Sequence, residues 1–259
     1  MDAEEHGETR EQFVLDQCIW PDLAEKYDQA LREAVRFVLQ RFDVFGIVVS
    51  GTIVRGNPDL TSDLDVYVIH RGQFRQRIQK FFNGVPAEMF VNPPHVIRRY
   101  FAGEQSSRPI TAHMLATGFV VLARDPVVDE LRAQARELLA HPPESALLEL
   151  DVSRYMVACM YEDAMDVVER DPVTAQMLLS RAVTDMLEFC FKKAGRFIPR
   201  RKELLQALAE VDPETAELAT EFFTATKLGV RLRLAERLAD RTIGVRGFFE
   251  WETVPEMVV

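Results

Sequence analysis

Two aspartates separated by one residue, Asp63 and Asp65, are the residues whose types and spacing best fit chemistry. They begin a run, residues 63–70, in which acidic and apolar residues alternate before the run becomes fully apolar. This pattern predicts a β-strand, and because residues i and i+2 of a strand share one face, both carboxylates should point the same way. Paired carboxylates suit Mg²⁺, which takes oxygen ligands and completes its shell with phosphate oxygens and water. The spacing therefore predicts metal-assisted phosphate chemistry.

A turn at Gly51 and Thr52 precedes these acids. Residues 44–50 are rich in β-branched and aromatic side chains and predict a buried strand that ends at this turn. Free backbone N–H groups and a hydroxyl at the mouth of a strand can hold a triphosphate. Two metal ions can clamp the attacking and leaving oxygens of a phosphoryl transfer. A third carboxylate from a neighbouring strand would complete such a site, and Glu88, in the predicted strand 85–91, is placed to supply it.

The elements that position these residues are predicted from apolar periodicity and from breaker residues. Helices are predicted over residues 22–42, 71–82, 95–117 with a break at Pro109, and 127–139. Strands are predicted over residues 44–50, 63–70, 85–91 and 119–123. The dipeptide Pro142-Pro143 marks a boundary, since it cannot continue a helix. Residues 144–241 then follow a helical pattern almost throughout, so we expect two domains, 1–142 and 143–259.

Composition narrows the function further. The 259 residues carry 31 Lys and Arg against 41 Asp and Glu, a net charge of −10, which disfavours nucleic acid as a partner. Three scattered cysteines and five scattered histidines predict neither a disulfide framework nor a zinc site. No leader peptide and no apolar stretch near the length of a membrane span is recognisable. We therefore expect a soluble, cytoplasmic protein with no membrane partner.

Residues 51–65 resemble the nucleotidyltransferase signature of the DNA polymerase β-like superfamily, in which Gly-Ser is followed at fixed spacing by Arg-Gly and then by Ser-Asp-x-Asp. The residues that match in register are Gly51, Arg55, Gly56, Ser62, Asp63 and Asp65. Thr52 departs from the pattern, because it keeps the hydroxyl of serine but adds a methyl group that could crowd a phosphate. Within the superfamily, the chain looks most like small bacterial enzymes of the aminoglycoside adenylyltransferase kind.

This resemblance implies an α+β fold: an N-terminal nucleotidyltransferase domain with a small mixed sheet flanked by helices, followed by an all-α helical-bundle domain. It implies transfer of a nucleoside monophosphate, AMP from ATP or the equivalent from another NTP, to an acceptor hydroxyl with release of pyrophosphate. Two Mg²⁺ ions would be held by Asp63 and Asp65, and Glu88 would be a metal ligand or the general base. Gly51 and Thr52 would hold the β- and γ-phosphates.

Other members of the site are less specific. Arg55 is either a phosphate contact or a residue that supports the turn, and Ser62 belongs to the matched signature. Lys202 resembles a phosphate-binding lysine of the helical domain in those enzymes, but it follows Arg200 and Arg201, and such a cluster is equally typical of a solvated helix face. Glu88 could likewise be a solvent-facing strand residue, and Asp63 and Asp65 could be acids of a strand edge.

The sequence does not determine which acceptor molecule receives the nucleotide. A cationic aminoglycoside would be attracted to the acidic residues near the start of the helical half. The alternative is that these acids are ordinary solvent-facing residues of a helix. These acids are Glu149, Asp151, Glu162 and Asp163. Alternatives are a nucleotidyltransferase that modifies a protein, as antitoxin-like members of the superfamily do, and a non-catalytic nucleotide-binding module. The intact Asp-x-Asp speaks against the last of these.

Overall fold

The structure is a computed structural model and describes residues 14–104, 108–142 and 147–253. These residues form two compact units. One contains residues 14–104 and 109–141, and the other contains residue 108 with residues 142 and 147–253. Pro143, part of the expected boundary between domains, lies outside the described residues.

The first unit contains five strands and several helices, which together give the expected α+β composition. Its strands are β1 (Val44–Ser50), β2 (Leu64–His70), β3 (Gln76–Phe82), β4 (Val85–Asn92) and β5 (Phe119–Ala123). Its helices are α1 (Glu25–Arg41), α2 (Pro94–Glu104), α3 (Ile110–Thr117) and α4 (Val127–Ala140). The predicted helices 22–42 and 127–139 and the predicted strands 44–50, 85–91 and 119–123 are confirmed with small shifts at their ends.

The strands form one mixed sheet in the order β3-β4-β2-β1-β5. The pairing of β2 with β4 is parallel, and the other three pairings are antiparallel. Successive side chains of a strand point to opposite faces, so the sheet has two distinct surfaces. One surface packs against α1 through buried residues such as Val35, Val49, Val66 and Met89. The other packs against α2, α3 and α4 through buried residues such as Val48, Tyr67, Ile97 and Leu131.

The predicted helix over residues 71–82 is wrong, because this segment forms strand β3. A two-residue turn at Asn83 and Gly84, with φ of 45° and 71°, joins β3 to β4 as a hairpin. Asn-Gly is the preferred pair for such a turn, since both central residues need positive φ. β3 is an edge strand whose residues are mostly exposed, so the alternating apolar pattern that identifies a buried strand is missing from its sequence.

The second unit is helical, as predicted for residues 144–241, although residues 144–146 lie outside the described part of the chain. Its helices are α5 (Leu147–Val167), α6 (Pro172–Lys193), α7 (Leu204–Val211), α8 (Pro213–Thr224) and α9 (Leu228–Thr242), with a 3₁₀ turn at Arg201–Glu203. Asp171 and Asp212 cap α6 and α8 by accepting hydrogen bonds from backbone N–H groups of the first turn. A separate apolar core holds the unit together. Among the helices that the structure describes, none combines the length and apolar character needed to cross a bilayer.

Candidate active site

The acidic residues lie at one end of the sheet, where β1 ends and β2 begins. β1 ends at Ser50, and Gly51 follows with a φ of 100°, a left-handed conformation that residues with a Cβ atom rarely adopt. The chain returns through a loop and enters β2 at Leu64. Asp63 therefore lies one residue before the strand rather than within it, while Asp65 is the second residue of β2.

Strand register brings the third acid into place. Asp65 pairs with Glu88 across the parallel β2–β4 ladder, and Ser50 pairs with Asp65 across the antiparallel β1–β2 ladder. Gln79 of β3 pairs with Glu88 on its other side. Residues directly opposite each other on neighbouring strands share a face. Ser50, Asp65, Glu88 and Gln79 thus form a row across four strands, which we call the acidic row.

The three predicted metal ligands are brought together. Asp63, Asp65 and Glu88 each offer a carboxylate oxygen, and these oxygens lie within 4.8 Å of one another. All three residues are half-buried. Hard oxygen donors at this spacing fit Mg²⁺, which prefers one or two carboxylates together with phosphate oxygens and water. We call these three residues the acidic cluster.

Two features of the surrounding structure are consistent with a ligand at this place. A Cβ atom built on Gly51 would lie 3.0 Å from Oδ2 of Asp65, so any other residue would crowd the acidic cluster. The hydroxyl of Ser50 is buried and finds no hydrogen-bond partner among the described residues. A buried polar atom without a partner is costly, and such atoms often mark a site that a ligand or water completes.

The next row of paired residues on the same face of the sheet carries no charge except on the edge strand β3. Tyr67 pairs with Phe90, and their rings stack with centroids 5.7 Å apart. Burial raises the pKa of the Tyr67 phenol, and the side-chain amide of Asn92 donates a hydrogen bond to its oxygen at 3.1 Å. Tyr67 is therefore a neutral phenol at physiological pH and adds no negative charge beside the acidic cluster.

The loop between β1 and β2 is held by its own hydroxyl groups. Oγ1 of Thr52 lies 2.7 Å from Oγ of Ser62, and the same Ser62 oxygen accepts a hydrogen bond from the backbone N–H of Asp59 at 2.7 Å. Thr52 and Ser62 therefore contact each other and fix the return of the loop towards β2. Arg55 and Gly56 are exposed at the loop surface. No contact of Arg55 with the described residues distinguishes between its two predicted roles.

Glu88 has two partners on β3 that the sequence did not suggest. Nη1 of Arg77 lies 2.9 Å from Oε1 of Glu88, and Nε2 of Gln79 lies 3.3 Å from the same oxygen. They were missed because residues 71–82 were predicted to be helical. The Asn83-Gly84 pair was the available signal, since a two-residue hairpin turn there places Gln79 opposite Glu88 by counting.

The remaining predicted residues belong to the helical unit. Lys202 is exposed in the 3₁₀ turn at the start of α7. Glu149 lines a groove of about 650 Å³ beside α5 and α6, and Glu162 lines a smaller hollow of about 270 Å³ together with Tyr155 and Trp251. Asp151 and Asp163 are exposed on α5.

Comparisons with known proteins find similarity at the level of three-dimensional structure. No protein-family model matches the sequence, and no curated protein matches it either. Among solved structures, the chain is similar to the crystal structure of a nucleotidyltransferase-like protein from Exiguobacterium sibiricum 255-15. The TM-score is 0.53 at 15% sequence identity, over 83% of this chain and 73% of that chain. At this identity the likeness establishes architecture alone: the chain has an α+β, nucleotidyltransferase-like fold with an added helical region.

Proposed function

We propose that this protein is a nucleotidyltransferase that moves a nucleoside monophosphate, AMP from ATP, onto an acceptor hydroxyl and releases pyrophosphate. The observation that carries the proposal is the acidic cluster, whose three carboxylate oxygens lie within 4.8 Å of one another. The nucleotidyltransferase-like fold supports it. So does the agreement between the cluster and the signature in residues 51–65.

The reaction forms a bond between the acceptor oxygen and the α-phosphorus and breaks the bond from that phosphorus to the bridging oxygen of pyrophosphate. Asp63, Asp65 and Glu88 would hold two Mg²⁺ ions, which neutralise phosphate charge and polarise the reacting oxygens when bound. Glu88 either joins them as a ligand or takes the acceptor proton on its carboxylate. Gly51, with its positive φ, would let the backbone approach the phosphates closely, and Thr52 would add a hydroxyl.

The other predicted contacts are with the nucleotide. Arg55 and Lys202 carry exposed cationic groups that suit phosphate oxygens. Ser62 would act mainly through Thr52, whose hydroxyl it contacts.

For the acceptor, we favour a small polycationic molecule of the aminoglycoside class. Glu149 contributes a carboxylate to the larger groove of the helical unit, where the acids Glu188 and Asp185 are paired with Arg108 and Arg181. In the smaller hollow, Glu162 and Glu250 accompany the rings of Tyr155 and Trp251. Aromatic faces and carboxylates together attract protonated amines, and this chemistry supports the assignment.

The test combines the purified protein with Mg²⁺, each nucleoside triphosphate in turn and a panel of aminoglycosides, and follows pyrophosphate release. We expect release with ATP and at least one aminoglycoside. Asp65→Asn should abolish it, whereas Asp129→Asn, an exposed acid of α4, should not. Release that survives in Asp65→Asn would overturn the assignment of the acidic cluster.

The absence of release with every aminoglycoside would overturn the choice of acceptor. Mass spectrometry of proteins incubated with the enzyme and ATP then separates the other functions. An added nucleoside monophosphate would indicate a protein acceptor, and ATP binding without any adduct would indicate a non-catalytic module.

A further inference from the structure

Arg77 of strand β3 lies beside the acidic cluster and contacts one of its members. Its Nη1 atom is 2.9 Å from Oε1 of Glu88. The side chain of Glu88 is 25% exposed and that of Arg77 is 55% exposed, so the pair is partly shielded from water on the Glu88 side. Gln79 donates a second, longer hydrogen bond to the same Glu88 oxygen at 3.3 Å.

The guanidinium group is also held from another direction. Its Cζ atom lies 3.7 Å from the centre of the Phe90 ring, within the range of a cation–π contact. Phe90 stacks in turn on Tyr67, which is fully buried. Arg77 is therefore anchored by an aromatic face as well as by the carboxylate. This arrangement differs from that of most exposed ion pairs, in which both side chains move freely and the interaction is weak.

The position of this cation matters because of the charges around it. Three carboxylates within 4.8 Å repel one another strongly. A guanidinium in contact with Glu88 offsets part of that repulsion in the protein without bound metal. A divalent ion at the acidic cluster would meet the same guanidinium as a like charge close by.

We propose that Arg77 is a built-in counter-cation of the acidic cluster: it stabilises Glu88 in the metal-free protein and competes with a divalent ion for that carboxylate. This inference rests on the proposed function only in treating the cluster as a metal site. Its consequence is that divalent ions bind weakly to the protein alone and bind well when nucleotide phosphates add negative charge. Metal and nucleotide would then enter the site together.

The test measures Mn²⁺ binding to the full chain by calorimetry, without nucleotide. In Arg77→Met the affinity should rise about three- to tenfold, because a unit charge close to a dication is removed. Arg77→Gln is a second neutral variant and should show the same rise. Arg77→Lys keeps the charge and should stay near the wild type.

Lys80→Met provides the matched control. Lys80 is on the same strand and is also exposed, but it is three residues from Arg77 and so points to the opposite face, near Phe37. Its loss removes the same charge and should change the Mn²⁺ affinity by less than about twofold. Raising the salt concentration to about 0.5 M should reduce the gain in Arg77→Met, since screening weakens charge effects but not packing effects.

The inference is overturned if Mn²⁺ binds the neutral Arg77 variants no more tightly than the wild type, or binds none of them measurably. It is also overturned if Lys80→Met produces the same gain. Failure of the proposed function looks different, because the wild type would then release no pyrophosphate while the Mn²⁺ affinities still follow the charge at position 77. Circular dichroism melting of each variant confirms that folded proteins are compared.

Discussion

A Cβ atom at position 51 would lie 3.0 Å from Oδ2 of Asp65 and 3.4 Å from the backbone oxygen of Asp63. A side chain at position 51 would therefore contact the two aspartates of the acidic cluster directly. The conformation of Gly51 and the position of the acidic cluster depend on each other, which is the physical reason for a glycine at this point of the motif.

We predict that Gly51→Ala reduces pyrophosphate release by about tenfold or more, since small displacements of reacting groups are costly in a positioned site. It should also lower the free energy of unfolding by about 1–2 kcal/mol, because alanine is strained at positive φ. Gly56→Ala is the control. Gly56 has a φ of 81° but has no atom within 4 Å of its Cβ position among the described residues, so it shares the strain without the crowding. Equal losses of activity in both variants would contradict this account.

The hydroxyl of Thr52 should matter and its methyl group should not. We predict that Thr52→Ser keeps at least half of the wild-type kcat/KM for the nucleotide. Thr52→Val keeps the shape but loses the contact with Ser62 and a phosphate ligand, so the KM should rise about five- to tenfold, the loss of about one hydrogen bond. Steady-state kinetics with varied ATP measures both. A valine variant with unchanged KM would remove Thr52 from the nucleotide site.

Lys202 can be separated from its neighbours in the same way. If it contacts nucleotide phosphates, Lys202→Met should raise the KM for ATP about tenfold, because a charge-assisted hydrogen bond is lost. Mn²⁺ binding without nucleotide should not change. Arg201→Met removes an adjacent exposed cation and serves as the control. Equal effects of the two variants would indicate a general field of positive charge rather than a specific contact.

His70 should make the stability of the protein depend on pH. It is 1% exposed, it accepts a hydrogen bond from the backbone N–H of Gly72 on Nδ1, and its Nε2 lies 2.8 Å from the carbonyl oxygen of Phe74. Nε2 therefore carries the proton and donates it to that oxygen. Burial lowers the pKa of His70 below its ordinary value of 6.5, although the hydrogen bond to Phe74 opposes this.

The unfolded chain binds a proton at His70 more readily than the folded one does. The contribution of the neutral imidazole is therefore fully present above about pH 6.5 and is lost as the pH falls below it. We predict that chemical unfolding midpoints decrease from pH 7 towards pH 5 and that His70→Gln makes this decrease smaller. His95→Gln, at an exposed position, should leave the slope as in the wild type. An unchanged slope in His70→Gln would show that other groups cause it.

The sequence was sufficient for the parts of the site that depend on local order. The turn at Gly51, the closeness of the Asp63 and Asp65 carboxylates, and the strand around Glu88 follow from residue types and spacing. The pairing of Asp65 with Glu88 does not, because β2 and β4 are not consecutive and their parallel register is decided by the packing of the whole sheet.

Arg77 and Gln79 were missed for a different reason. The residues of an exposed edge strand need not alternate between apolar and polar. The spacing of apolar residues in such a strand therefore gives little indication that it is a strand. The Asn-Gly turn at 83–84 was a stronger local signal than the helical spacing that it contradicted. Turn chemistry is therefore the better guide where a polar segment leads into a buried strand.

The acidic row also determines how mutations far from the site could cause loss of function. Its members come from four strands, so a shift by one residue in any of the three pairings would turn every side chain of the shifted strand, and with it at least one member of the row, to the opposite face. A mutation in the apolar core that alters strand register would then abolish metal binding at the acidic cluster, although none of the site residues themselves is mutated. The affinity for divalent ions therefore reports on the register of the sheet. Variants of the distant apolar core can be screened by measuring that affinity.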